Sequence, residues 1–299
     1  MNAPAADMTC GALVPWFGAK RTLAPRIVEQ LGPHRAYVEP FAGSMAVLLA
    51  KPPCAVEVVN DLNQRIINLA RVLRDPRDRL RFFRLARNWT LYDGVVSDAK
   101  ALVGDEAASP VERAVAYYAM SWLGMNGYSG TQHEDRNVNA SKRYTLLGGG
   151  DSVTRYRSAV RSALAFGRRL ANVDIRSEDA FGLIERLADA DGQVAYVDPP
   201  YVTKGARYWH DFEGEADHAR LAMLLGKFRR TRVVVSYYAH PLLDELYAGW
   251  TKVCCATTKA LVSQGRRDNR HKAIAPEILL INGPSYATAA AGLFPAEVA

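Results

Sequence analysis

The tetrapeptide Asp198-Pro199-Pro200-Tyr201 follows directly on the apolar run Val194-Ala195-Tyr196-Val197. A short apolar run closed by a turn reads as a buried strand, so the tetrapeptide sits at that strand's carboxyl end. In open α/β sheets ligands bind beyond the carboxyl ends of the strands. The turn presents a carboxylate, carbonyls made rigid by two prolines without N–H groups, and an aromatic face. A surface so rich in acceptors suits an amino group on a flat ring. The structural alternative is a tight turn with a capping Asp198 and a packed Tyr201.

Other residues fall at spacings that suit ligand chemistry. Glu39-Pro40-Phe41-Ala42-Gly43 closes the strand-like run that begins at Ala36. Asp61 ends the next strand, about twenty positions after that turn, where an acidic residue can hold a ribose diol. It could equally cap the helix that follows. Asp179 follows a third strand-like run and could approach a cofactor ring or cap a helix. Trp16 and Lys20, four apart, could be a core aromatic and a surface charge, or ligand contacts. Dinucleotide chemistry is disfavoured because G-x-G-x-x-G is absent, and neither a P-loop nor the H-E-x-x-H zinc pattern occurs. No G-x-S-x-G nucleophile elbow occurs either.

These residues carry a resemblance. Asp198-Pro199-Pro200-Tyr201 after a strand resembles the catalytic motif of the DNA amino-methyltransferases, and the remaining motifs follow the order of the Dam-like adenine methyltransferases. Pro15-Trp16-Phe17-Gly18-Ala19-Lys20 is similar to their N-terminal cofactor motif, in which a Trp and a Lys contact S-adenosylmethionine. Glu39-Pro40-Phe41-Ala42-Gly43 resembles their glycine loop, although Met45 stands where a second glycine is common. Asn60-Asp61-Leu62-Asn63 resembles the segment whose Asp binds the ribose hydroxyls. Asp217-His218-Ala219-Arg220-Leu221 and Ser236-Tyr237-Tyr238 are similar to later segments.

The resemblance implies a Rossmann-like α/β methyltransferase sheet that moves a methyl group from S-adenosylmethionine to adenine N6 in double-stranded DNA. Asp198, Pro199, Pro200 and Tyr201 would act on the flipped base. Trp16, Lys20, Glu39, Phe41, Gly43, Asp61, Asp179 and Asp198 would surround the cofactor. No metal is expected. Cytosine N4, RNA or protein amines are alternative acceptors. A vestigial nucleic-acid-binding fold is a further alternative, against which the retention of Asp198 and Tyr201 counts.

The elements that must position these residues are readable in outline. Residues 36–40 and 55–59 read as strands, with helices over 45–50 and about 63–73. Strand, turn, helix, strand opens a parallel α/β sheet. Strand signals return at 173–175, 194–197, 232–237 and 277–281. Asp217 is expected to cap a helix with apolar Leu221, Leu224, Leu225 and Phe228. Between the halves lies a mainly helical, Arg-rich insertion. The expected organisation is a cofactor-binding half over 1–72, a target-recognition insertion over 73–171 and a catalytic half over 172–299. The polar, glycine-rich stretch 126–150 has a length usual for a functional loop or a linker. Residues 126–130 form the expected base-contacting loop, and Asn126, Tyr128, Lys142 and Arg143 are the expected DNA-binding residues.

Composition agrees with that reading. The 299 residues are 49% hydrophobic and 23% charged, an ordinary globular balance. The net charge of +7 and three arginine-rich clusters favour a polyanionic partner. They fall at 65–87, at 155–169 and at 266–272. No apolar run is long enough to cross a membrane, and residues 1–20 lack secretory features. The four cysteines form no C-x-x-C pair, so reduced thiols and a cytoplasmic location are expected.

Overall fold

Two runs of β-branched and aromatic residues, each closed by a turn, found the sheet: β1 (Ala36–Glu39) and β2 (Val56–Asn60) lie parallel, with Val38 opposite Val58. The computed structural model describes residues 11–16, 18, 20–124, 129–131, 152–202, 208–255 and 276–286. Five further strands complete the sheet: β3 (Asp174–Arg176), β4 (Gln193–Val197), β5 (Arg232–Tyr238), β6 (Thr251–Cys255) and β7 (Glu277–Ile281). Their order is β3-β2-β1-β4-β5-β7-β6. The first five are parallel, and β7 runs antiparallel between β5 and β6. This is the α/β, Rossmann-like arrangement expected.

The chain winds outward from β1 through β2 to β3, then returns to lay β4 on the other side of β1. The strand order therefore reverses between β1 and β4, and a crevice opens at their carboxyl ends. Glu39 ends one strand and Asp198 directly follows the other. The sheet is covered on both faces. Val194, Tyr196, Val234 and Leu279 join one core, while Ala195, Val197, Val235 and Leu280 join the other. Period-2 alternation of largely apolar strands produces that split.

Helix ends follow from local chemistry. Asn63 caps α3 (Gln64–Arg74), its side chain accepting from Arg65 and Ile66 N–H. Asp75 ends α3 and caps α4 (Pro76–Ala86), with Pro76 at the first helical position. A capping box of Ser109 and Glu112 opens α6 (Pro110–Leu123). Helix α6 is almost wholly buried, packed by α3, α4, α5 (Val95–Gly104) and α7 (Ser152–Leu170). The helices between β2 and β3 thus share the core of α3.

Three expectations need correction. Asp217 does not cap its helix: Gly214 holds the cap of α9 (Glu215–Leu225), and Asp217 lies in the first turn, accepting from Glu213 N–H at 2.8 Å. Asp is favoured at both places, at the cap by its acceptor and in the first turn by the helix dipole. The helix also ends before Phe228, which nevertheless packs into the same core. Finally, β6 was not expected, because an edge strand with exposed Lys252 and Cys254 lacks an apolar run.

A buried charge cluster joins α7 to the sheet. Glu57 of β2 accepts from Lys51 Nζ at 2.5 Å and from Arg169 Nη1 and Nη2 at 2.5 and 2.8 Å. Arg169 also donates to the Leu48 carbonyl at 3.0 Å. Burial raises the Glu57 carboxyl, but Arg169 and Lys51 outweigh it and hold it below its ordinary 4.5. Removing Glu57 strands two buried cations, so Glu57→Ala should cost about 3–5 kcal/mol in a denaturant titration at neutral pH. The folded wild type binds this proton less readily than the unfolded chain does. The stabilisation is therefore full above 4.5 and is lost as pH falls through the lowered folded value. The variant should lack that acid-dependent loss.

Candidate active site

The turn after β1 is built by backbone geometry that few residues permit. Gly43 has φ 46° and Met45 φ 58°, and Met45 ends the irregular stretch before α2 (Ala46–Ala50). The turn is clasped to the one after β2. Asp61 Oδ2 accepts from Gly43 N–H at 2.7 Å and Oδ1 from Asn63 N–H at 2.8 Å, while Asn60 Nδ2 donates to the Pro40 carbonyl at 3.0 Å. Capping of α3 thus fell to Asn63, and Asp61 is the clasp. Trp16 lies against the same turn: a Cβ on Gly43 would come within 2.9 Å of Trp16 Nε1, and one on Gly130 within 2.4 Å of its ring.

These turns wall a cavity of about 390 Å³, within the roughly 300–1,000 Å³ of small-molecule sites. Trp16, Lys20, Glu39, Phe41, Gly43, Asp61, Asp179 and Asp198 all line it, so every residue expected around a cofactor converges there. Phe41 meets Phe212 edge-on at 5.9 Å, and Phe212 stacks on Phe181 at 5.5 Å. Asp179 caps α8 (Ala180–Glu185) by accepting from Gly182 N–H at 2.9 Å while also facing the cavity. Glu39 is 2% exposed, and its Oε2 has no hydrogen-bond partner among the described residues. Burial, with the nearby Asp198, pushes its carboxyl up to about 8, against the pull of the Tyr37 hydroxyl and of Lys51.

Asp198 is held from two sides. Ser236 Oγ on β5 donates to Oδ1 at 2.8 Å, and Lys20 Nζ lies 2.9 Å from Oδ2. Since the single Ser236 proton goes to Asp198, Tyr196 must be the donor in its 2.9 Å contact with Ser236. Burial and Glu277 raise the Asp198 carboxyl, with Lys20 opposing. Lys20 Nζ also donates to the Gly18 carbonyl at 2.9 Å and lies 3.3 Å from Glu277 Oε1. Burial would lower this ammonium, but the two carboxylates outweigh burial and raise it.

The tetrapeptide divides. Asp198 and Pro200 line the cavity, whereas Pro199 and Tyr201 are not among its lining residues. The Tyr201 ring packs edge-on against Tyr238 at 4.6 Å, and its hydroxyl donates to Glu277 Oε1 at 2.8 Å. Ser236 and Glu277 were not singled out as site residues from sequence. The signals were a hydroxyl inside an apolar strand and a lone carboxylate heading Glu277-Ile278-Leu279-Leu280-Ile281. Asn126, Tyr128, Lys142 and Arg143 lie outside the described residues, as does the basic stretch 266–272. Among the described residues no group of three or more His, Cys, Asp or Glu is placed to hold a metal, and no helix is long and apolar enough to cross a membrane.

The chain belongs to the family of D12 class N6 adenine-specific DNA methyltransferases, whose model matches residues 16–261. It is therefore an enzyme that methylates adenine N6 in DNA, with DNA as substrate and a methyl donor as cofactor. Two solved structures of the rRNA methyltransferase aviRa from Streptomyces viridochromogenes, at 2.4 and 1.5 Å, are similar at 14% and 13% identity. Their TM-scores are 0.38 and 0.37, with 94% of this chain and 93% of that chain covered. No curated protein matches the chain.

The buried Glu39 carboxyl carries a pH signature. Its folded value near 8 lies above the ordinary 4.5, so the folded protein retains a proton that the unfolded chain releases. Stability should fall as pH rises from 4.5 to about 8, and Glu39→Gln should remove that fall. The difference between the two proteins should grow to something on the order of 4 kcal/mol at the alkaline end. Parallel urea titrations across this range check it, and identical slopes would exclude the effect.

Proposed function

We propose that the methyl donor is S-adenosylmethionine, held in the cavity between the turns after β1 and β2, and that Asp198 receives the target amine at its edge. The fit rests on the cavity's own chemistry. The orphaned Glu39 Oε2 offers a polar contact to a ligand, and the bare Gly43 lets the Trp16 ring close against the turn as a wall of the cavity. Asp61 keeps acceptor capacity beyond its two backbone bonds, enough for a ribose diol. Trp16 and Phe41 supply apolar wall. When bound, S-adenosylmethionine supplies an already activated methyl group, so the protein's task is positioning.

The adenine amine is a poor nucleophile because its lone pair is delocalised into the ring. Asp198 has free lone pairs beside those used by Ser236 and Lys20. One can accept an amine N–H, and the Pro199 carbonyl the other, which localises the amine lone pair. This is orientation and electrostatics without a covalent intermediate. Lys20 Nζ donates to the Gly18 carbonyl and lies against the carboxylates of Asp198 and Glu277, so Lys20 serves the carboxylate. The base is unreachable inside a duplex and must be flipped out. Tyr201, outside the cavity lining, is left for the flipped base, where stacking contributes roughly 1–3 kcal/mol.

The observation that carries this reading is Asp198, fixed by Ser236 and Lys20, facing the same cavity as Asp61 and Glu39. Asp198→Ala should abolish methylation of adenine in duplex DNA, and Asp61→Ala should weaken donor binding by calorimetry. Wild-type turnover in the first, or unchanged affinity in the second, would overturn the assignment. Tyr201→Ala should keep donor binding but slow turnover about tenfold to a few hundredfold.

The exposed arginines Arg84, Arg87, Arg157 and Arg161 lie on or beside α4 and α7, and Arg87, Arg157 and Arg161 share a groove with Trp89. We propose that this insertion carries the duplex. Affinity should fall steeply with salt. Arg161→Gln should weaken all duplexes alike and flatten the log–log salt slope by about one. A salt-independent affinity would exclude the insertion as a phosphate-contacting surface.

A further inference from the structure

Glu277 heads β7, beyond the last residue matched by the family model. It is 7% exposed and the only charged residue of its strand. Its Oε1 accepts the Tyr201 hydroxyl at 2.8 Å and lies 3.3 Å from Lys20 Nζ. Lys20 reaches on to Asp198, and its ammonium sits 5.0 Å from the centre of the Tyr201 ring. One buried carboxylate therefore touches both the proposed base-stacking ring and the cation that orients the proposed amine acceptor.

We propose that Glu277 is the positioning residue of the amine site, fixing the Tyr201 ring through its hydroxyl and holding Lys20 against Asp198. The inference rests on the site reading given above. The charge balance explains why a carboxylate is needed here. Lys20 alone would neutralise Asp198, leaving no net charge beside a cationic donor. With Glu277 present, Lys20, Asp198 and Glu277 together carry one negative charge. The balance persists as positive charge passes from donor sulfur to the attacking amine. The fixed geometry also matters, since a displacement of about 1 Å in a reacting group can cost on the order of 100-fold in rate.

Two substitutions separate position from charge. Glu277→Gln keeps the size and an oxygen for the Tyr201 hydroxyl but removes the charge. Glu277→Asp keeps the charge but is one methylene too short for Tyr201. Asp198 is faced by Lys20, by Glu277, by Glu39 of β1, by Tyr196, Tyr201 and Tyr208, and by Tyr237 and Tyr238 of β5. Among these, Glu277 raises its carboxyl and Lys20 lowers it. The acid limb of the kcat profile should therefore move to lower pH in Glu277→Gln and stay in place in Glu277→Asp.

The experiment measures kcat, KM for duplex DNA, donor affinity and pH profile for wild type, Glu277→Gln, Glu277→Asp and Tyr201→Phe, with thermal melts as the folding check. The expected result is a fall in kcat on the order of 100-fold in Glu277→Asp with donor affinity little changed, and in Glu277→Gln a fall in kcat together with weaker donor binding, because the negative charge beside the cationic donor is gone. Tyr201→Phe should lose kcat too, and Glu277→Asp added to it should cost less than Glu277→Asp alone, because the Tyr201 contact is already gone and only the hold on Lys20 remains to lose. Wild-type kcat with an unmoved acid limb in Glu277→Gln would overturn the proposal. If Glu277→Gln does not fold, full activity in Tyr201→Phe overturns the positioning of the ring. An inactive wild type would instead remove the site reading itself, and the proposal with it.

Discussion

A buried ammonium between two carboxylates ties together the candidate site of this protein. Lys20 comes from the N-terminal segment, Asp198 from the end of β4 and Glu277 from the start of β7. Each would be costly to bury alone, because transfer of an isolated charge from water is unfavourable unless it is paired and hydrogen-bonded. Together they satisfy one another, and the Gly18 carbonyl takes the remaining ammonium proton. Three chain segments distant in sequence are thereby held at one point. The ordering cost is met during folding, so the site is preorganised before any substrate arrives.

The sheet makes that meeting possible. Reversal of strand order between β1 and β4 leaves their carboxyl ends facing an open crevice with no strand connection across it. The turn after β1 supplies glycine geometry and the buried Glu39. The turn after β4 supplies Asp198 on a proline-stiffened backbone. The antiparallel β7, inserted between β5 and β6, brings Glu277 beside Tyr238 of β5. A purely parallel addition would have put the other end of that strand at the crevice.

What could be read from the sequence was what depends on neighbours in the chain. The turn residues of 39–43 and 198–201 and the strands they terminate all arise within a few residues. Asp61 was legible as a site residue, but its bond to Gly43 N–H crosses 18 residues and carries no local pattern. Glu277 lies 76 residues from Tyr201, and Ser236 lies 38 from Asp198. Their roles appear only once strand order is known. Asp217 misled because helix caps and first turns favour the same side chain. β6 escaped because an edge strand needs no apolar signature.

The helical segment between β2 and β3 joins the sheet through a stitched neck. Arg71 and Arg74 of α3 donate to the Ile175 and Val173 carbonyls at 3.2 Å each, and Arg169 at the far end of α7 is locked onto Glu57. Trp16, pressed between Gly43 and Gly130, ties the root of the intervening chain to the cavity wall. Thr131, bridged to Tyr208, and α7, locked at Arg169, are fixed points of the chain, and loop-closure entropy between fixed points grows only slowly with length. Descendants of this scaffold can diversify the region while inheriting the transfer chemistry intact, much as interchangeable heads fit one handle.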